Sequence, residues 1–529
     1  MKKYVLRNKF ILFMSVIFGV LEVVFTYLYV RQSSRIIDVV MNKSNDTYSK
    51  VIILSILYVL LLIIAHYIFN RLALAFSKNI INNLRHDYIE GLLDSKTSLF
   101  FKVNKGEHLS HIDQDVDQLR MEYLYILPYA LIGIGRAIVY TIGLYKIHPY
   151  MLITTFLFVL LPALASKIFT GRISKSQIER SGKYSKYIDE LNELLDGYLV
   201  IKESRNNDYF LEKFDKANNE LLKAINSFSI NSRMLSQTLF GLNVFSTLLV
   251  TFIGGILVKN SLIQMSDLLA SLSLVSIATA SFADTFRFIV QLLSTRELRN
   301  IVISKIPNEK IDKKIEKLPK LDLNINNLSF SYGDKKVFSD MNIDIEKNMA
   351  YAIIGPSGSG KSTLAKILMR INPSYEGKIT FENGDFKDFK ELELYETIYY
   401  IPQEPVIFED TFINNITMGR SDIDMVKLDE IIDRVGLDSV YNDKKESLIK
   451  NDSLSGGEKK KLEIARALYR GADVLIFDEP TSGLDPESAR VIDGLIESLD
   501  YYTRIVITHN QDASYLDRFD KVINIENYK

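Results

Sequence analysis

The sequence predicts a two-part fold: an all-α domain of six membrane-crossing helices, followed by an α/β domain built around a glycine-rich loop. Three observations carry this. Six long apolar stretches all lie before residue 300, and a bilayer core needs about 20 residues per helix. After Arg296 such stretches stop. From there on, short strand-like runs alternate with helical segments, the pattern of a soluble α/β domain.

Whole-chain averages hide this division. The 529 residues are 47% hydrophobic and 24% charged, values of an ordinary soluble protein. With 64 Lys+Arg against 65 Asp+Glu the net charge is −1, so a globally basic nucleic-acid binder is excluded and no nucleic-acid partner is expected. The absence of cysteine rules out disulfides, thiolate nucleophiles and Cys-ligated metal sites.

The first span runs Phe10–Val30 and the second Val51–Phe69. The third and fourth are about Tyr125–Leu144 and Tyr150–Phe169, and the fifth and sixth about Thr238–Val258 and Leu268–Val290. The first is longer than the ~7–15 residues of a signal-peptide core and no A-x-A cleavage site follows it, so it is kept as a span. No extra domain precedes Phe10, so a fused leader-peptidase domain is not expected.

The gaps orient the bundle. Those after the second and fourth spans are long and carry seven and eleven Lys/Arg, against four, one and one in the short gaps. By the positive-inside rule both termini are expected in the cytoplasm, with the lipid bilayer as one partner. Apolar residues recur at helical spacing in Leu72, Phe76, Ile80 and Leu84, and again in Ile188, Leu191 and Leu195. The long gaps therefore read as spans continued as helices and joined by short turns. Glu22, His66 and Arg136 sit inside apolar runs, where a charge is costly and faces protein or a water-filled cavity. They read either as a substrate path or as interhelical pairs. Pro128 and Pro162 read as packing kinks.

Residues 1–303 are thus assigned to the membrane domain, 304–320 to a Lys/Glu-rich linker and 321–529 to the α/β domain. The last contains Gly355-Pro-Ser357-Gly358-Ser-Gly360-Lys361-Ser362-Thr363, directly after a strand-like run. Glycines let backbone N–H groups turn inward around phosphates, Lys361 supplies a point charge, and Ser362 offers a hydroxyl to Mg²⁺. The strand Val474–Phe477 ends in Asp478 and Glu479, placed to serve the metal's hydration shell and to polarise attacking water. Leu454-Ser455-Gly456-Gly457-Glu458 opens another helix and suits a second phosphate grip. A second grip beside a single phosphate loop implies a neighbouring copy.

Taken together these motifs resemble an ATP-binding cassette (ABC) transporter, over the whole chain, with an exporter-type (type IV) membrane domain ahead of an ABC ATPase domain. The resemblance implies ATP and Mg²⁺ as cofactors. It makes Tyr332 the adenine-stacking residue and Gln403 the Q-loop glutamine, shared with the metal. Leu454–Glu458 becomes the signature, Ser482–Asp485 the D-loop and His509 the switch histidine. The family implies two cassettes closing head to tail over two ATP molecules, so this chain is a half-transporter needing a second half, identical or not. It further implies short coupling helices near 97–105 and 206–214, docking near Gln403.

Two departures stand out. The signature ends in Glu458 where the family usually has Gln, an extra negative charge near nucleotide. The segment Ser447–Ser453 lacks the Gly-Glu of the family's cross-linking loop. On this reading the chain exports a peptide or amphipathic small molecule from the cell membrane. Import of the siderophore type and a non-transporting membrane ATPase are the alternatives. High Lys, Asn and Ile usage suggests an AT-rich bacterial genome.

Overall fold

The structure is a computed structural model. It describes residues 1–529 except 308, 310, 312–321, 382–383 and 446, and omits the side chains of 154–160, 162–163, 166 and 170. Most of the expected linker and the side chain of Pro162 therefore lie outside the described residues. The chain divides into two compact units, one of Met1–Ile89 and Leu109–Ile306, the other of Glu90–His108 and Pro307–Lys529.

The first unit is helical throughout its regular elements. Among the described residues, five helical stretches are long and apolar enough to cross a membrane, within Lys9–Val40, Tyr48–Leu93, Lys105–Ile147, Asn207–Lys259 and Met265–Ser304. The expected fourth span lies in the helix Pro149–Asp196, with half of its side chains outside the described residues. The helices Tyr48–Leu93, Pro149–Asp196 and Asn207–Lys259 run 46, 48 and 53 residues. At 1.5 Å per residue each is about 70–80 Å long, far more than a bilayer core, so each continues beyond its apolar stretch.

Packing explains which faces are apolar. Val23, Phe69, Ile132, Tyr140, Val250 and Leu274, from five helices, form a buried cluster. Gly133 lets the helix Ile126–Ile147 close on the helix Met265–Ser294, since a Cβ there would run into the Thr285 side chain. Small residues permit such approaches where lipid supplies no hydrophobic drive. On the outside, Ile52, Ile56, Leu60, Ile63 and Tyr67 are exposed and follow one stripe of their helix, a surface that suits hydrocarbon rather than water.

Among the described residues the second unit has three sheets, two large and one of two short strands. A parallel five-stranded sheet runs in the order Lys521–Asn524, Ala350–Ile354, Thr503–Ile507, Val474–Asp478, Ile398–Ile401. Three of its strands, Ala350–Ile354, Thr503–Ile507 and Val474–Asp478, are buried along their whole length, as a sheet covered on both faces requires. An antiparallel sheet orders Lys335–Ile345, Leu323–Tyr332, Glu376–Phe381 and Gly384–Asp385.

The segment Glu90–His108 belongs to this unit. Its short helix Thr97–Phe101 is held by the helix Glu391–Thr397. The Thr97 N–H donates to Glu391 Oε1 at 2.8 Å and the Tyr395 hydroxyl to Thr97 Oγ1 at 2.6 Å. The expectation for 206–214 is corrected. Those residues are the opening turns of the helix Asn207–Lys259, and the short helix lies earlier, at Tyr198–Ser204. Arg205, at φ 53°, breaks the chain direction between them.

Candidate functional site

The strand Ala350–Ile354 delivers the chain to a loop whose Gly355, Gly358 and Gly360 have φ of 151°, 76° and 109°. Side-chain-bearing residues rarely adopt these values. A Cβ on Gly360 would also meet Val337 at 2.6 Å. The helix Lys361–Leu368 starts directly behind, so Lys361, Ser362 and Thr363 form its first turn, at the end where a helix leaves N–H groups open, and the Thr363 N–H donates to the Gly360 carbonyl at 3.0 Å.

Lys361 is buried and donates to the carbonyls of Gly355 and Pro356 at 2.7 and 3.1 Å, with His509 Nδ1 at 3.3 Å. Burial pushes its ammonium pKa down, opposed by the charges of Glu479 and Asp478. Ser359, 1% exposed, keeps its Oγ without a hydrogen-bond partner among the described residues. A buried orphan hydroxyl is costly. A loop of left-handed glycines at a helix start, an ammonium and an idle hydroxyl fits a polyphosphate anion.

The strand Val474–Asp478 brings the two acids to the same end of the sheet. Asp478 is buried and accepts from the Tyr400 hydroxyl at 2.6 Å, and burial raises the Tyr400 pKa so that it remains a donor. Glu479 leaves the strand at φ 48°, a left-handed conformation costing a non-glycine residue roughly 1–2 kcal/mol. Its carboxylate is held from two sides, by His509 Nε2 at 2.6 Å and by Gln403 Nε2 at 2.9 Å. The Gln403 amide also donates to Ser482 Oγ at 3.3 Å. Lys361, Gln403, Asp478, Glu479 and His509, spread over 149 positions of sequence, thus meet at one sheet end, where ligands of open α/β sheets bind.

Other expected residues stand apart from that cluster. Tyr332 is 47% exposed and its hydroxyl accepts from Asn372 at 2.7 Å, with its ring edge-on to Phe330. Ser455 caps the helix Gly456–Arg470, and Gly456 and Gly457 form its first turn. Asp485 caps the helix Pro486–Glu497, accepting from the N–H groups of Glu487 and Ser488. The Ser488 hydroxyl, and after it those N–H groups, lower its pKa.

Glu458 is occupied locally. Its carboxylate accepts from the Ser455 N–H at 2.7 Å while Ser455 Oγ faces the Glu458 N–H at 3.4 Å, a capping box. The charge that departs from the family pattern therefore closes the helix that carries the signature. The short segment before it is also tied down. Leu448–Ile449 pairs with Asp410–Thr411, and Lys450 bridges to Glu409 at 2.7 Å.

Lys460 was missed by sequence reasoning. It is 2% exposed and donates to the carbonyls of Pro402 and Gln403 at 3.1 and 2.6 Å. Burial pushes its pKa down to about 8. The run Lys459–Lys461 reads as a solvated face, yet Lys460 shares a helical stripe with the buried Ile464 and Ala467, which is the signal available in the sequence.

In the first unit Glu22, His66 and Arg136 come together from three helices. Glu22 Oε2 lies 3.3 Å from His66 Nδ1, and Glu22 Oε1 lies 3.7 Å from Arg136 Nη2. His66 Nε2 reaches Asn70, which accepts from the Tyr129 hydroxyl. The interhelical pairing is thus present.

A phosphate loop and a strand-end acid pair on one chain with long apolar helices define a membrane-embedded ATP-binding protein. The chain belongs to the ABC transporters: residues 10–282 match the ABC transporter transmembrane region and 338–482 match the ABC transporter domain. It is similar to the ATP-dependent lipid A-core flippase of Francisella novicida, 26% identical over 484 residues, covering 85% of this chain and 78% of the other. It is also similar to the multidrug resistance-like ATP-binding protein MdlB of Buchnera aphidicola, 24% identical over 509 residues, covering 92% and 85%. A probable ABC transporter ATP-binding/permease protein of Haemophilus influenzae is 24% identical over 479 residues, covering 87% and 84%. The chain is a multi-pass membrane protein that binds and hydrolyses ATP and uses it to drive transport.

Proposed function

We propose that the chain is a half-transporter of the cell membrane that exports an amphipathic small molecule or peptide as a dimer. Relatives named for lipid A-core flipping and multidrug resistance favour an amphiphilic cargo. The Lys/Arg-rich long gaps favour a cytoplasmic N-terminus and cassette. Glu22, His66 and Arg136, a polar cluster inside apolar helices, are assigned to the cargo path.

In each nucleotide site, Gly355, Ser357, Gly358 and Gly360 cradle phosphates through backbone N–H groups, Thr363 adds its hydroxyl and Lys361 supplies charge. Tyr332 packs on the adenine. Ser455, Gly456 and Gly457 of the second copy close the site, with Asp485 at the junction. Ser362, Asp478 and Gln403 are hard oxygen donors suited to Mg²⁺, which when bound neutralises developing phosphate charge. Glu479 accepts a proton from the attacking water, oriented by His509 and Gln403.

The observation that carries this reading is the Glu479 carboxylate held at 2.6 and 2.9 Å between His509 and Gln403. Such positioning distinguishes a general base from a carboxylate at a strand end. The chain alone, purified and reconstituted in lipid, is assayed for ATPase beside Glu479→Gln. Loss of about 10²–10⁴-fold is expected. Activity within a few-fold of wild type removes Glu479 from the reaction.

A further inference from the structure

We propose that Lys460 is a positioning residue that fixes Gln403, and through it Glu479, to the helix carrying the signature. The inference rests on the nucleotide-site reading above and adds to it a connection between the chain's own nucleotide site and the signature it lends to the other copy's site.

The geometry is a chain of short bonds within one cassette. Ser455 caps the helix Gly456–Arg470. One turn further in, Lys460 Nζ donates to the carbonyls of Pro402 and Gln403, 58 and 57 positions away. The Gln403 side chain then donates to Glu479 at 2.9 Å, and Glu479 pairs with His509. Strand Ile398–Ile401 ends directly before Pro402, and the loop that follows has no regular structure until Asp410. Its carbonyls therefore need partners from elsewhere, and the signature helix provides them.

A second fastening from the same helix makes this more than a chance contact. Arg466, 4% exposed, donates to the Val406 carbonyl at 2.6 Å and to Asn415 Oδ1 at 2.8 Å. Asn415 in turn binds both the N–H and the carbonyl of Phe408. Glu463 balances Arg466 at 2.6 Å and accepts from the Tyr399 hydroxyl at 3.0 Å. The loop is thus held at Pro402–Gln403 by Lys460, at Val406 by Arg466 and at Phe408 by Asn415.

Lysine is almost never buried this fully unless its charge is used. If Lys460 served only the core, a packed apolar chain of similar length would replace it well. Because its donors end on the backbone of Pro402 and Gln403, its loss instead frees Gln403, which holds Glu479 from the loop side. Displacements of about 1 Å around reacting groups cost up to ~10²-fold in rate.

The full chain in lipid is assayed for ATPase as wild type, Lys460→Met, Lys460→Arg, Gln403→Ala and Lys460→Met/Gln403→Ala. Lys461→Met, whose parent ammonium contacts the Gly436 carbonyl, is the neighbouring control. Lys460→Met is expected to lower kcat about tenfold with KM for ATP nearly unchanged. Lys460→Arg, which keeps a buried donor cation, restores most of it, and Lys461→Met leaves it intact. The double variant is expected to be no slower than Gln403→Ala alone, because both changes break one path.

Wild-type kcat in Lys460→Met overturns the proposal. So do additive losses in the double variant, which make Lys460 a packing residue unrelated to Gln403. If Lys460→Met does not fold, Lys460→Gln keeps an uncharged amide donor and is read by the same cycle. A retained rate in Glu479→Gln fails the nucleotide-site reading itself, independently of these results.

Discussion

On the proposed reading, Lys361 illustrates how a phosphate-binding residue is kept ready. Its ammonium lies on the Gly355 and Pro356 carbonyls, so the loop is self-satisfied at that point and the side chain is already drawn inward. Burial disfavours the charge while Glu479 and Asp478 favour it, and a phosphate adds to the second influence. Replacing it by methionine removes a charge-assisted hydrogen bond worth about 1.5–3 kcal/mol. Lys361→Met is therefore expected to weaken ATP binding about 10- to 100-fold, read by equilibrium binding of a fluorescent ATP analogue to the full chain. Unchanged affinity would show that the backbone cradle alone holds the phosphates. Nothing comparable marks Tyr332, whose exposed ring has free space to accept a planar partner.

At the scale of elements, the helix Gly456–Arg470 concentrates the argument. Its N-terminus carries the signature, and the Ser455–Glu458 capping box satisfies donors that a helix start leaves open. Glutamine serves at that position of a capping box as well as glutamate. Glu458→Gln is therefore expected to leave thermal unfolding of the full chain unchanged, and Glu458→Ala to destabilise it by about 1 kcal/mol. A loss as large with Gln as with Ala would mean that the charge, not the cap, is what the position needs.

The same helix shows why part of the site was legible and part was not. The phosphate loop, the Asp478–Glu479 pair and the signature are each local, so a few consecutive residue types define them. Lys460 and Arg466 act on a loop more than fifty positions away, and only the fold sets that distance. The strand Lys335–Ile345 is hard to read in the sequence for a different reason. Its buried positions Phe338, Met341, Ile343 and Ile345 lose the period of two at Asp340, whose φ of 47° shifts the register. The docking of Thr97–Phe101 on Glu391 and Tyr395 joins positions almost three hundred apart and leaves no local trace.

For the whole molecule, the decisive question is whether one nucleotide site needs two chains. The signature of a cassette sits on a different helix from its phosphate loop, and a symmetric pair lets each chain complete the other's site. Two inactive variants test this, Lys361→Ala in one chain and Gly456→Asp in another. Each homodimer has a defect in both of its sites. A mixed dimer gathers both defects into one site and leaves the other whole, formed by the phosphate loop of the Gly456→Asp chain and the signature of the Lys361→Ala chain. Co-expressed with different tags and purified through both, mixed dimers are expected to hydrolyse ATP at up to about half the wild-type rate, far above either parent. The value falls below half if Lys460 passes the state of one site to the other. Mixed dimers as inactive as their parents would refute the shared site and return both grips to a single chain.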